Sequence, residues 1–354
     1  MKKKLIIIVI SLLLILGIGY LGINIYMDSL INKTSKEEEV VPQDEIIEVV
    51  EDETPKAHEV VNIMLVGADN LDYAGGRENS YVQERSDVFK IVSLDYTDKT
   101  IKLTSLDRDI VVWIPDRNEV GDFGRFNWAY SFGGAKFALN CINYNLDLDV
   151  SKYVSFSFKG FIDVIDIIGG IDIELTQAEA DFINNPANYS LMSYPVSAGI
   201  NHLNGKSALT YARIRHLDSD FVRMERQNTV IKAVINKLKT SSFTELMEVI
   251  NKCLPYITTN LTNSEIKTML WDVLSFDLND IQTQTFPING TEDVAWNHSE
   301  LGGYILRSYS NQVIELHKYI YGTDTYEPTK RIYDNENKIY ETYGQFYENS
   351  ELIP

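Results

Sequence analysis

The sequence predicts an α/β domain carried on an N-terminal membrane anchor, and three observations predict it. Short runs of β-forming residues, such as Val61–Gly67 and Val88–Asp95, alternate with segments of helical period. The first charged residues, Lys2-Lys3-Lys4, are followed by an uncharged apolar run from Leu5 to Met27. A chain with a formal charge of -19 keeps one basic island: between Gly205 and Lys239 there are eight Lys/Arg and three Asp/Glu, a local net of +5. A basic island in an acidic chain points to an anionic ligand. An acidic pI near 4.7 excludes nucleic acid as partner, because backbone-phosphate binding needs an extended basic surface.

Taken in order, residues 1–4 form a cytoplasmic tail and 5–27 a transmembrane anchor. At 1.5 Å per residue the run spans roughly 34 Å, enough for a bilayer core of about 30 Å. The lysines on its short side keep that end in the cytoplasm and place the remainder outside the cell, a type II membrane protein. Residues 28–59, rich in Glu and Asp with Pro42 and Pro55, read as an acidic extracellular tether too poor in apolar residues to fold. The domain begins near Val60 with a buried strand ending at Ala68-Asp69. A second strand follows Arg85-Ser86-Asp87, and a hairpin partner runs from Ile101 to Leu106. After Asp107-Arg108-Asp109 comes a strand from Ile110 to Ile114.

A glycine-containing stretch, Gly124 to Gly134, leads to a helix over Ala135–Asn145. A strand over Tyr153–Phe158 and a helix over Lys159–Ile168 stop at Gly169-Gly170. A strand over Ile171–Leu175 then meets Thr176, a helix N-cap. A short helix over Leu203–Tyr211 enters the basic island. Asp220 reads as the N-cap of a helix carrying Val230, Ile231, Val234, Ile235 and Leu238. Residues 60–240 form the body of the domain. Residues 241–320 read as a further part packing on it, mainly helical over Phe243–Leu274 around Pro255, with a late strand over Ile281–Pro287. Residues 321–354 read as a polar, Tyr-rich tail without a clear period. The cysteines, Cys141 and Cys253, either pair or are two small buried hydrophobes.

The island carries the chemistry. Arg213 and Arg215 are two apart, so in extended backbone they point the same way, and Arg223 and Gln227 share a helix face. Guanidinium forks suit phosphate, and a helix N-terminus beside them adds free N–H donors. Arg213, Arg215, Arg223 and Arg226 are placed to converge on one diphosphate, although Arg226 reads equally as a surface residue. The plain alternative is a solvated helix face with ordinary ion pairs. Trp128, Tyr130 and Phe132 read as core rather than as a sugar platform. His202 and His216 do not read as metal ligands.

Six motifs occur in register: Gly67-x-Asp69; Arg85-Ser86-Asp87; Ser105-Leu106-Asp107-Arg108-Asp109; Asn127-x-Ala129-Tyr130-x-x-Gly133-Gly134; Leu203-Asn204-Gly205-x-x-Ala208-Leu209-x-Tyr211-Ala212-Arg213-x-Arg215; and Arg223-x-x-Arg226-Gln227. Together they resemble the LytR–CpsA–Psr family of cell-wall enzymes over Val60–Leu238, roughly half the chain. One departure is visible: Asp107 stands where the family usually has Pro. The resemblance implies an α-β-α sandwich, a central mixed sheet flanked by helices, with an apolar pocket for a lipid. It implies transfer of a glycopolymer, such as teichoic acid or capsule, from a polyprenyl-diphosphate carrier to peptidoglycan through a phosphodiester.

By position it assigns the diphosphate to Arg85, Arg108, Arg213, Arg215, Arg223 and Gln227, and a Mg²⁺ or Mn²⁺ ion to Asp69 and Asp87. Asp87, Arg108 and Arg213 are the catalytic candidates, with Asp87 slightly favoured as proton acceptor. Two other classes compete: a non-catalytic module that holds the lipid-linked polymer, and a membrane-tethered regulator. A carrier-binding module needs the arginines but not the aspartates. No DNA-binding motif supports the regulator.

Overall fold

The computed structural model describes residues 27–29, 31–36, 58–69, 85–115, 121–185, 195–215, 217–273, 275–288, 296–298 and 301–344. The elements in chain order are β1 (Ser35–Lys36), β2 (Val60–Asp69), β3 (Arg85–Asp95), β4 (Thr100–Leu106), β5 (Val111–Ile114), β6 (Asp122–Arg125), α1 (Phe126–Leu146), β7 (Lys152–Ser157) and α2 (Phe158–Ile167). There follow β8 (Ile171–Leu175), α3 (Gln177–Asn184), β9 (Gly199–Leu203), α4 (Gly205–Ala212), α5 (Asp220–Lys239) and α6 (Phe243–Cys253). The chain ends with β10 (Ile257–Thr259), α7 (Asn263–Val273), β11 (Ile281–Phe286), β12 (Trp296–His298), β13 (Gly303–Ile305), α8 (Tyr309–Tyr321) and α9 (Lys330–Tyr343).

Seven strands form one mixed sheet in the order β1-β10-β7-β2-β3-β4-β11. Alternation along the strands sends side chains to two helical layers. Met64, Val66, Phe89 and Ile91 pack with Ala138, Leu139 and Ile142 of α1 and with Val313, Leu316 and Ile320 of α8. Ile63, Leu94, Ile101 and Leu103 pack on the other face, against Ile231 and Ile235 of α5 and Met269 and Val273 of α7. The result is the expected sandwich of helices on both faces of a mixed sheet.

The motif glycine Gly205 has a packing reason. A Cβ on Gly205 would lie 2.2 Å from the Ile162 carbonyl oxygen, so only glycine lets α4 sit on the backbone of α2. Its N–H donates to Asp166 at 2.7 Å, and Asn204 caps α4 by accepting from the Ser207 N–H at 3.0 Å. Thr176 caps α3 in a reciprocal capping box with Glu179, as its position predicts.

Several boundaries differ from the sequence reading. The helix expected at Ala135 begins at Phe126, and Gly133 and Gly134 break it locally with non-helical angles. The helix expected from Leu203 is preceded by an unforeseen strand, β9, which pairs with β8 through Leu203. Asp220 is the first residue of α5 rather than its cap; Ser219 holds that position, and the Asp220 carboxylate accepts from Arg223 instead. Ile257-Thr258-Thr259 interrupts the expected helix because its residues pair with β7.

The segment expected to be an unfolded tether also starts differently. Ile31 is buried against Leu254, Leu261 and Ile266 together with Met27, so the residue predicted to end the anchor packs in the domain instead, and β1 pairs with β10. The acidic run begins only at Glu37; residues 28–36 hold one Asp and two Lys, and apolar side chains there find a hydrophobic cleft. The tail contains α9, whose Ile332, Asn335 and Ile339 are buried. Its approach is held by Asp147, which accepts from Tyr326, Thr329 and Arg331. So few apolar positions leave little period to detect in the sequence. Cys141 and Cys253 are both buried thiols and do not form a disulfide with each other. Among the described residues no helix is long and apolar enough to cross a membrane; the predicted anchor at 5–27 lies outside them except for Met27.

Candidate functional site

Strand directions gather the motifs at one end of the sheet. Because β2 and β4 each run antiparallel to β3, and β7 runs parallel to β2, four chain segments meet there. They are the end of β2 at Asp69, the start of β3 at Arg85 and Asp87, the turn Asp107-Arg108-Asp109 after β4, and Phe158 after β7. The carboxyl ends of strands are where open α/β sheets bind ligands.

Asp69 pairs with Arg85, and the register shifts between Gly67 and Ala68, which pair with Val88 and Ser86. Asp87 is the extra residue of this bulge, a device that re-aims neighbouring side chains. The buried Ser86 hydroxyl, 3.0 and 2.8 Å from the carbonyls of Gly67 and Val88, fastens it. The backbones of Asp69, Arg85 and Asp87 are described, while their side chains lie outside the described part of the structure.

Below this edge, between the sheet and α2 and α5, lies an apolar cavity of about 310 Å³. Leu65, Val154 and Phe156 line it from the sheet, and Phe161, Val230 and Val234 from the helices. Arg213, Arg215, Arg223 and Gln227 belong to the same wall. The structure therefore brings four of the six predicted diphosphate residues to one apolar cavity. Arg213 stacks on Phe158, its guanidinium carbon 4.4 Å from the ring centroid, which fixes the plane of the fork. It is not in extended backbone: it caps the C-terminus of α4. Arg223 is buried and donates to Asp220 at 2.6 Å.

Arg108 lies outside the cavity wall, with Nε 3.4 Å from an Asp109 carboxylate oxygen. The N–H of Asn127 donates to the Arg108 carbonyl at 3.0 Å, tying that turn to α1. Arg226 does not join the cluster. It is buried in an ion triad, donating to Glu179 at 2.7 Å and to both oxygens of Asp218. Glu179 also accepts from the Thr176 N–H at 2.9 Å, so one carboxylate locks α3 to α5 and sets which face of α5 meets the cavity. Trp128 and Tyr130 pack on the core, with Arg125 over the Trp128 ring, while Phe132 is largely exposed. His202 is held by Asp172 and the Gly169 carbonyl; His216 lies outside the described residues.

Sequence reasoning passed over two features. Lys90, in the middle of β3, lies in the cavity wall and is fully buried, donating to Ser105 at 2.6 Å and Asn228 at 2.8 Å. Burial, with the neighbouring Arg223 charge, pushes its ammonium down to about 7. A lysine inside Val88-Phe89-Lys90-Ile91-Val92 was the available signal. The second is a carboxylate group of Asp107, Asp109 and Asp220. Burial, then the charge of Asp220, pushes Asp107 up to about 7. Burial also raises Asp220, against the pull of Arg223, Arg108 and Arg215.

A family model, LytR_cpsA_psr family, matches residues 24–313. A protein of Bacillus cereus (strain AH820) named polyisoprenyl-teichoic acid–peptidoglycan teichoic acid transferase TagU is 30% identical over 275 residues, 76% of this chain and 83% of that protein. An uncharacterized protein of Staphylococcus aureus is 28% identical over 235 residues, 66% of this chain; the match spans only 56% of that relative. Protein gbs0355 from Streptococcus agalactiae has a similar structure, with a TM-score of 0.62 at 24% identity over 77% of this chain and 90% of its own. So has YwtF (TagT) from Bacillus subtilis with bound octaprenyl pyrophosphate lipid, with a TM-score of 0.56 at 20% identity over 78% of this chain and 95% of its own.

Proposed function

Because the chain belongs to the LytR–CpsA–Psr family, we propose that it transfers a cell-wall glycopolymer of the teichoic-acid class from a polyprenyl-diphosphate carrier to peptidoglycan. The observation that carries this reading is the apolar cavity whose wall also holds Arg213, Arg215, Arg223, Gln227 and Lys90. A long apolar chain with a doubly charged head is the ligand that such a wall matches, and the names of the relatives support that choice.

Phosphoryl transfer needs positioning and charge neutralisation more than covalent help. An acceptor hydroxyl oxygen on peptidoglycan attacks the phosphorus that carries the polymer. The bond from that phosphorus to the bridging oxygen breaks, polyprenyl phosphate leaves, and the hydroxyl proton passes to Asp87. Arg213 and Arg215 clamp the diphosphate; Arg223 and Gln227 donate from α5. Arg85 and Arg108 approach from the strand ends. Asp69 and Asp87, hard oxygen donors at the ends of paired strands, fit a Mg²⁺ or Mn²⁺ ion, which when bound would neutralise charge on the diphosphate. Residues 5–27 anchor the domain outside the cell membrane, beside the carrier.

The test combines the purified chain with a lipid-diphosphate-linked oligosaccharide, Mg²⁺ and peptidoglycan fragments, and measures transfer and carrier binding separately. Asp69→Asn and Asp87→Asn are expected to lose transfer while keeping carrier binding. If both transfer polymer at the wild-type rate, the aspartates are dispensable and the reading becomes a carrier-binding module.

A further inference from the structure

Three carboxylates from distant parts of the chain meet beside the arginines: Asp107 and Asp109 from the turn after β4, and Asp220 from the start of α5. Each offers an oxygen, and these oxygens lie within 4.8 Å of one another. Asp107 is fully buried. Its Oδ1 accepts from the Asp109 N–H at 2.8 Å, and its Oδ2, also buried, has no hydrogen-bond partner among the described residues. A buried carboxylate oxygen without a donor is rare, because its lost hydration goes uncompensated.

The surrounding backbone holds the group in place. The Asp107 N–H donates to the Phe286 carbonyl at 2.8 Å, and the Asp109 carbonyl accepts from Tyr304 at 2.8 Å. The ion-paired cations are Arg223 on Asp220, and Arg108 and Arg125 on Asp109, while Arg108 and Arg215 also act on Asp220 through their charge.

We propose that Asp107, Asp109 and Asp220 form a divalent-cation site, with a ligand set that does not include Asp69 or Asp87, in which the unpartnered Oδ2 of Asp107 is a ligand. Oxygen ligands stand about 2.0–2.1 Å from Mg²⁺ and about 2.3–2.6 Å from Ca²⁺, so ligands on opposite sides of one ion are roughly 4 to 5 Å apart. The three oxygens fall inside that span, and an all-carboxylate set suits Mg²⁺, Mn²⁺ or Ca²⁺ over softer ions.

The charges give such an ion a use. Arg108 and Arg223 now neutralise this cluster, and the same two are assigned above to the diphosphate. They cannot fully serve both anions, so a cation among the carboxylates frees them for the phosphates. This use rests on the carrier reading; the site itself does not.

The probe is Mn²⁺ alone, with free ion counted by electron paramagnetic resonance against the purified full-length chain. Asp107→Asn keeps the shape and is expected to weaken one Mn²⁺ site at least tenfold, while Asp69→Asn/Asp87→Asn leaves that site intact. Thermal unfolding in EDTA checks the fold: Asp107→Asn should unfold no lower than wild type there, and should lose the upward shift that Mn²⁺ gives wild type through this site. Unchanged Mn²⁺ affinity and stoichiometry in Asp107→Asn would overturn the proposal. If Asp107→Asn does not fold, Asp109→Asn added to the Asp69→Asn/Asp87→Asn chain decides: loss of one Mn²⁺ supports the site, an unchanged count refutes it. No carrier is present in these measurements, so failure here leaves the transferase reading untouched, and failure of transfer leaves the site standing.

Discussion

Arg223 and Arg226 stand three residues apart in one motif, yet Arg223 lines the cavity while Arg226 sits in a buried ion triad, and replacing each with Met separates the proposed ligand role of the first from the fold role of the second. Arg226 is 5% exposed and holds Glu179 and Asp218. Arg226→Met strands a buried carboxylate, and breaking a buried ion pair from one side costs about 3–5 kcal/mol. Asp218 is exposed enough to recover water, so the low end, about 3 kcal/mol, applies. At roughly 2–4 °C per kcal/mol for a chain of this size, the melting temperature should fall by about 6–12 °C. Affinity for a short-chain prenyl diphosphate, measured by calorimetry well below that melting point, should change less than about twofold.

Arg223→Met should do the reverse for the ligand. Losing one charge-assisted hydrogen bond is worth about 1.5–3 kcal/mol, roughly 10- to 100-fold in affinity. The pH dependence carries a further sign. Burial raises Glu179, but hydrogen bonds from Arg226 and Thr176 outweigh it and hold the carboxyl below its ordinary range. Its contribution is therefore present at neutral pH and lost as pH falls through the lowered value, a loss that Arg226→Met should flatten. An Arg226→Met chain with unchanged melting temperature and tenfold weaker prenyl-diphosphate binding would refute the assignment.

Other outcomes follow from the same wall. Arg213→Lys keeps charge but loses both the fork and the stack on Phe158, so transfer should fall about 10- to 100-fold, nearly as far as in Arg213→Ala; near-wild-type transfer would mean that charge alone suffices. Val234→Trp fills the apolar cavity from a half-buried position, and prenyl-diphosphate affinity should drop more than about tenfold with the melting temperature little changed; unimpaired binding would place the lipid elsewhere. Lys90, pushed from 10.5 down to about 7, binds fewer protons folded than unfolded between those values. Stability of the wild type should accordingly rise with pH across that window, relative to Lys90→Met, in urea unfolding at several pH values. Identical pH profiles for the two chains would assign the slope to another group.

By itself the sequence determined the layers and the chemical vocabulary of the site. Strand runs such as Ile171–Leu175, the Thr176 cap, and the spacing of Arg223 and Gln227 on α5 are local, and local spacing within a strand or helix fixes relative facing. Absolute facing is not local. Arg226 turns from the cavity because Glu179, 47 residues earlier, and Asp218 wait on the far side of α5. Lys90 turns into it because Asn228, 138 residues later, supplies an acceptor. The carboxylates of Asp107 and Asp220 come within 4.8 Å of one another only through the tertiary fold, which joins the turn after β4 to the start of α5. α9 is legible only against the core that buries Ile332 and Ile339. Propensity and periodicity act over one or two turns of chain, whereas a buried charge is stable only beside the partner that neutralises it. That partner's place is set by sheet order and helix packing, so the tertiary structure alone decided which charges serve the fold and which face the cavity.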